Sequence, residues 1–307
     1  MRVEDVDRPS PGEGELLVEV AAAGVNPVDT YFRGGSYEPV GLPFTPGVDY
    51  AGTVTEVGEG VEGFSAGDRV FGTGIGNGAS QGAYAEYATV PTDRTVVLPD
   101  GADPVKAGAA GVAAVTAWRA LVDHADLDPA EYALVHGGSG GVGHAAVQIA
   151  DAVSARVLTT ARPEYHDDVA ALGADAVLDY TRDDLEDAVR SVSNGGVDVV
   201  VDHRLDDYLQ FDANVAAHDA RVVGIGENSP DPGFTDDGAA RSKDLTYQFM
   251  SMFNTPDLRV PLRGVAHLMA TDALSIELAE TYDLDEAAAA HRDVLTESYL
   301  GKLVVTP

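Results

Sequence analysis

One short stretch constrains this chain more than any other. His136–Gly143 reads HGGSGGVG, with the apolar run Tyr132–His136 (YALVH) before it and an Ala/Val/Ile-rich run after it. Gly138, Gly140 and Gly143 fit the pattern G-x-G-x-x-G. Missing Cβ atoms permit a tight turn, and backbone N–H groups at the start of a helix can then approach a pyrophosphate. The pattern alone is weak, but a strand before it, a helix after it and a further apolar run, Ala155–Thr160, give it the context of a βαβ unit. A flexible Gly-rich linker would not be flanked in that way.

The runs that follow extend the unit. Ala155–Thr160 (ARVLTT), Ala176–Leu178, Val197–Asp202 (VDVVVD) and Arg221–Ile225 (RVVGI) alternate with helical stretches. Near-continuous Val/Ile/Leu strands of this kind belong to a parallel sheet covered on both faces. Before about residue 100 the texture differs. Glu15–Val20, Tyr50–Val57, Asp68–Phe71 and Ala83–Val90 are short alternating runs punctuated by Gly and Pro, which indicates a mostly antiparallel β domain. The tail closes on a strand-like run, Lys302–Thr306. The expected layout is α/β: a β-rich domain over 1–103 and 250–307, with a doubly wound parallel sheet inserted over 104–249. A length of 307 residues suits two domains at about 150 each.

Charge narrows the partners. The chain has 19 basic and 51 acidic residues, a formal net charge of −32, and only three lysines, Lys106, Lys243 and Lys302. Such a surface repels phosphate backbones and anionic lipid, so neither nucleic acid nor membrane is expected as a partner. It also repels itself unless ions screen it, and the Debye length shrinks to about 3 Å near 1 M salt. The expectation is a soluble cytoplasmic protein of a salt-rich cell, a halophile. With no cysteine, disulfides, thiolate metal sites and cysteine nucleophiles are excluded. The polar first residues do not form a signal peptide, and the long uncharged stretches are broken by glycines.

The tip of the strand after the Gly-rich turn selects the coenzyme. An NAD site commonly carries Asp or Glu there, on the ribose 2′-hydroxyl. This chain reads Thr159, Thr160, Ala161, Arg162, and Glu164 lies past Pro163. Arg162 can pair with a 2′-phosphate in bidentate fashion, which points to NADPH.

Taken together, AAAGVNPVDTYFRGG (21–35), PFTPGVDYAGTVTEVGEGVEGFSAGDRVFG (43–72), TAWRAL (116–121), VHGGSGGVGHAAVQIA, LGADAVLDY (172–180), VDVVVD and GKLVVTP resemble the zinc-free medium-chain dehydrogenases/reductases of the quinone oxidoreductase, or zeta-crystallin-like, family. The resemblance implies a GroES-like catalytic domain built from both chain ends, a Rossmann domain between them in sequence, an active-site cleft, and hydride transfer from NADPH to a quinone or another electron-poor alkene. It assigns Asn26 and Tyr31 to the nicotinamide and substrate end, and Ser139, Gly140, Gly141 and Val142, with Gly138, to the pyrophosphate turn. Arg162 and Tyr180 fall at the adenosine-phosphate positions, Gly224, Ile225 and Gly226 beside the nicotinamide, and Thr116 lies in a further matching stretch. Zinc relatives keep a Cys near position 26 and a Gly-His-Glu run near 47–49. Here those positions read Asn26-Pro27-Val28-Asp29 and Gly47-Val48-Asp49, so no zinc is expected.

Without a metal, Tyr31 is the candidate donor to the acceptor oxygen, since a phenol holds its proton at neutral pH. Asn26 can orient a carboxamide through its own amide, serve as the turn residue before Pro27, or do both. Two departures from the family stand out: the chain begins about 15 residues inside the family pattern, and His203–Asp207 (HRLDD) replaces a Gly-rich turn. Alternatives to a quinone reductase are an enone or alkenal reductase of the same fold, a non-catalytic nucleotide-binding or crystallin-like protein, and a nucleic-acid binder, which the charge opposes. The apolar run Leu245–Phe253 reads as the last strand of the Rossmann sheet, an edge that relatives pair to form homodimers.

Overall fold

The computed structural model describes residues 1–307. In chain order the first part contains β1 (Glu15–Val25), α1 (Pro27–Gly34), β2 (Asp49–Val57), β3 (Arg69–Thr73), β4 (Tyr87–Pro91), β5 (Thr95–Val97), α2 (Pro104–Gly108) and α3 (Gly111–Trp118). Next come β6 (Tyr132–Val135), α4 (Gly141–Ala152), β7 (Arg156–Ala161), α5 (His166–Ala171), β8 (Ala176–Asp179), α6 (Leu185–Val192), β9 (Val197–Asp202), α7 (Leu205–Val215), β10 (Ala216–Gly224), α8 (Gly238–Ser242) and β11 (Thr246–Phe249). The chain ends with α9 (Arg259–Ala270), β12 (Leu278–Asp283), α10 (Ala287–Thr296) and β13 (Lys302–Thr306). It divides into two compact units, 1–115 with 255–307, and 116–254. No helix is long and apolar enough to cross a membrane.

The first unit is a seven-stranded sheet in the order β12-β13-β1-β2-β3-β5, with β4 also pairing to β1. All its pairs are antiparallel except β12 and β13, which run parallel and are joined through α10. Such a parallel pair needs a crossover, and the helix provides it. β1 is the centre: Leu16, Val18 and Val20 on one face enter a core with Tyr50, Val54, Val70, Val90, Leu303 and Val305. The segment 104–115 belongs here, because α2 packs on β1 and β2. Sequence texture assigns it to the inserted domain, since its alanine-rich helices look alike whichever sheet they cover.

Two strands differ from the sequence expectation. Pairing with β1 begins at Tyr87 rather than Ala83, because the amides of Ala83 and Tyr84 bond to Gly47 and Pro46 instead. β12 (LAETYD) was not legible as a strand, since one buried side chain in six leaves little apolar alternation.

The second unit is a six-stranded, wholly parallel sheet in the order β11-β10-β9-β6-β7-β8. β9 is buried at five of its six positions, which explains its unbroken apolar run. Strand order reverses between β6 and β9, and in open sheets of this kind ligands bind beyond the carboxyl ends of strands at such a switch point. β11 forms the edge, as expected of the 245–253 run. A π-helical turn, Arg119–His124, ties this edge to the sheet's entry. Buried Arg119 donates to the Ser251 carbonyl (2.6 Å), and His124 bonds Gln248 on β11 (3.0 Å).

Candidate active site

In the second unit, β6 runs straight into the glycine turn and α4. The turn is built by close packing. A Cβ on Gly138 would lie 2.2 Å from Thr159 Oγ1, and one on Gly143 would lie 2.0 Å from the Gly137 carbonyl oxygen. Gly137 donates to Thr160 Oγ1 (3.0 Å), and Gly138 donates to the Thr160 carbonyl (2.8 Å), which anchors the turn on β7. α4 begins at Gly141, and Gly140 before it offers no side chain to cap it. The first-turn amides of Gly141 and Val142 therefore have no acceptor within the helix, and these residues and Ser139 are partly exposed. The helix dipole adds positive potential at that end. The turn fits a diphosphate.

Three further parallel strands, β7, β8 and β10, bring Arg162, Tyr180 and the residues Gly224–Gly226 to the same end of the sheet. At the tip of β7, Arg162 Nε donates to Tyr180 Oη (3.0 Å), beyond β8, and its Nη1 stands 3.9 Å from Glu164. Arg162 is exposed and Tyr180 partly so, and the bond to Tyr180 orients the guanidinium. At the tip of β10, Ile225 donates to the Asp202 carbonyl (2.8 Å), and Gly224 accepts from Met250 (3.0 Å). A Cβ at Gly224 would strike Leu205. Thr116 is buried on α3, where its unit begins.

Beneath the turn lies a polar cluster that sequence reasoning missed. His136 Nε2 is 2.8 Å from Asp212 Oδ1, both side chains are fully buried, and the imidazole stacks on Tyr208 at 4.2 Å. Burial drives His136 down to about 4 and Asp212 up to about 8, so the histidine is neutral and the pair is a hydrogen bond rather than a salt bridge. Asp202, with Asp212 beside it, is pushed up to about 7, first by burial and then by the neighbouring charge. Asp202 Oδ1 accepts from the Arg204 amide (2.7 Å), so the HRLDD segment that departs from the family pattern is tied to the end of β9. His136 and Asp212 lie 76 positions apart, and no spacing rule links them.

In the first unit, Tyr31 stands on α1, 41% exposed, with its ring edge-on to Tyr37 at 5.7 Å. Asn26 precedes that helix and is buried. Its amide points inward: Nδ2 donates to Asp49 Oδ2 (2.8 Å), and Oδ1 accepts from Lys302 Nζ (2.5 Å). Asn26 is the turn residue before α1, and its side-chain amide bonds Asp49 and Lys302. The residues at 26 and 49 do not fit zinc. An amide and a carboxylate bonded to each other, with an ammonium on the amide, offer neither thiolate nor imidazole. One grouping of three ligating side chains exists, His218, Asp219 and Asp244, and all three are exposed.

Two family models match stretches of the chain. Residues 12–100 match the family model described as alcohol dehydrogenase GroES-like domain, and residues 172–305 match that described as zinc-binding dehydrogenase. A quinone oxidoreductase of Sus scrofa is 35% identical over 309 residues, covering 98% of this chain and 92% of the relative. Among solved structures, the Escherichia coli quinone oxidoreductase complexed with NADPH superposes with a TM-score of 0.89 at 27% identity, covering 100% of this chain and 95% of that one. A structure described as an NAD-dependent alcohol dehydrogenase superposes at 0.93 with 29% identity, covering 100% and 95%.

Proposed function

This chain belongs to the quinone oxidoreductase family of medium-chain dehydrogenases/reductases and is an oxidoreductase, and from that premise we propose that it is an NADPH-dependent, metal-free reductase of quinones. The observation that carries the proposal is the uncapped start of α4 at the end of β6, with an oriented arginine at the tip of the neighbouring strand. The amides of Ser139 to Val142 hold the diphosphate, and Gly138 keeps the turn close against β7. Arg162, steadied by Tyr180, takes the 2′-phosphate. Gly224, Ile225 and Gly226 present backbone to the nicotinamide, and Thr116 supports that end.

When bound, the reduced nicotinamide supplies the hydride. The chain contributes everything around it. Tyr31 donates a hydrogen bond to the acceptor oxygen as negative charge grows there, and a phenol, ordinarily titrating near pH 10, retains its proton at neutral pH. Asn26 supports Tyr31 from behind its helix. A quinone accepts hydride readily, so a hydrogen-bond donor suffices and no Lewis acid is required. The working enzyme is a homodimer joined through β11 in a salt-rich cytoplasm.

The test is a side-by-side rate with NADPH and NADH against a small benzoquinone and an enone, in molar KCl, for wild type and Arg162→Ala. A charge-assisted hydrogen bond contributes about 1.5–3 kcal/mol, so kcat/KM with NADPH should fall about 10- to 100-fold while that with NADH stays nearly unchanged. Equal losses with both coenzymes would remove Arg162 from the phosphate site. Faster turnover of the enone would make an alkene the acceptor.

A further inference from the structure

Lys302 is one of three lysines in a chain of net charge −32, and it is the one withdrawn from solvent, 4% exposed. Taking an ammonium out of water costs several kcal/mol unless its protons are well bonded. Its two direct hydrogen bonds go to neutral oxygens, the Val25 carbonyl (2.7 Å) and Asn26 Oδ1 (2.5 Å). The acidic side chains lie one group further on. Asp49, fully buried, accepts from Asn26 Nδ2 through Oδ2 and from the Val112 amide through Oδ1, both at 2.8 Å. Asp29, also buried, accepts from the amides of Asn26 (2.9 Å) and Val48 (3.0 Å). A Cβ on Gly111 would lie 2.3 Å from Asp49 Oδ1, so the space is kept for that carboxylate.

The Asn26 amide thus bridges an ammonium and a carboxylate, and only one orientation satisfies both. Turned over, its NH2 would face the ammonium and its oxygen the carboxylate. Both of the residues immediately before α1 are gripped, Val25 by its carbonyl and Asn26 by its side chain and amide. The three grips come from β13, β2 and α1 itself. Tyr31 rides on that helix.

We infer that Lys302 is a positioning residue: by fixing the Asn26 amide against Asp49 and holding the Val25 carbonyl, it sets the start of α1 and thereby the place of the Tyr31 hydroxyl. Its effect on turnover rests on the role proposed above for Tyr31. A displacement of about 1 Å in a reacting group costs on the order of 100-fold in rate, so the clamp should be visible in kcat.

Lys302→Met alone leaves buried carboxylates without their cation and destabilises the fold. The informative protein is therefore Lys302→Met/Asp49→Asn, which removes one charge of each sign at near-constant volume and gives up one of the two hydrogen bonds accepted at position 49. Thermal stability should recover towards wild type, and coenzyme affinity, read by nicotinamide fluorescence, should be unchanged. kcat should nevertheless stay at least tenfold down, and adding Tyr31→Phe should cost much less than it does in the wild type. Recovery of kcat together with Tm would overturn the inference, leaving Lys302 as charge balance for the fold. A wild type inactive with every acceptor would instead defeat the functional reading. The clamp is then judged by NMR: the Asn26 side-chain amide protons should exchange slowly in wild type and rapidly in Lys302→Met/Asp49→Asn, and equal exchange rates in the two proteins would refute it.

Discussion

Asp29 takes hydrogen bonds from two backbone amides, yet burial pushes it up to about 7 from an ordinary 3.8. The folded chain therefore keeps a proton there that the unfolded chain releases near pH 4. With fewer protons bound by the unfolded state, stability falls as pH rises from about 4 to about 7, by at most about 1.4 kcal/mol per pH unit, and levels off above. Asp29→Asn carries a fixed cost from its altered amide contacts, but this dependence disappears. Denaturant titrations at several pH values should show wild type losing ground to the variant between pH 4 and 7, and a constant gap would contradict the burial argument. His136 works in the opposite sense, being held neutral with its value near 4, so its contribution is lost as pH falls below that of a free imidazole. At this scale the glycine turn at Gly138 and the exposed charge of Arg162 could be singled out, because turn geometry and charge chemistry are local, whereas Tyr31 came only through the family resemblance. The His136–Asp212 pair and the Lys302–Asn26–Asp49 bridge could not be, since their members meet only through the pairing of distant strands.

Elements read well where they are long and apolar. β6 to β10 were visible as Val-rich runs, whereas β5 and β12 were hidden by their brevity or by exposed polar positions. β11 combines a readable sequence with an open edge: Phe249 is 65% exposed on it, and Phe253 beyond it is 38% exposed. A free strand edge with exposed aromatic side chains invites pairing with a second copy. If the dimer forms there, Phe249→Asp should shift the mass in light scattering from dimer to monomer without lowering coenzyme affinity. A dimer that survives this change, or a monomeric wild type, would move the interface elsewhere or abolish it.

For the whole molecule, the net charge of −32 is the dominant property outside the core. Self-repulsion among exposed carboxylates weakens as the Debye length contracts, so Tm should climb as KCl rises from about 0.1 M to about 2 M. A Tm that is flat or falling over that range would argue against adaptation to a salt-rich interior. Composition alone determined that property, and also the absence of thiol chemistry. Periodicity determined the two textures, one antiparallel and one parallel, and the HGGSGGVG run determined the glycine turn between β6 and α4. These are local features, because strand alternation, glycine geometry and charge count need no partner from elsewhere in the chain. Tertiary structure alone decided that residues 104–115 pack with the first sheet, that Asn26 turns its amide inward, and that Lys302 spends its charge on it. Each of those outcomes depends on which distant groups share a desolvated volume, and burial makes such groups settle their hydrogen bonds with one another.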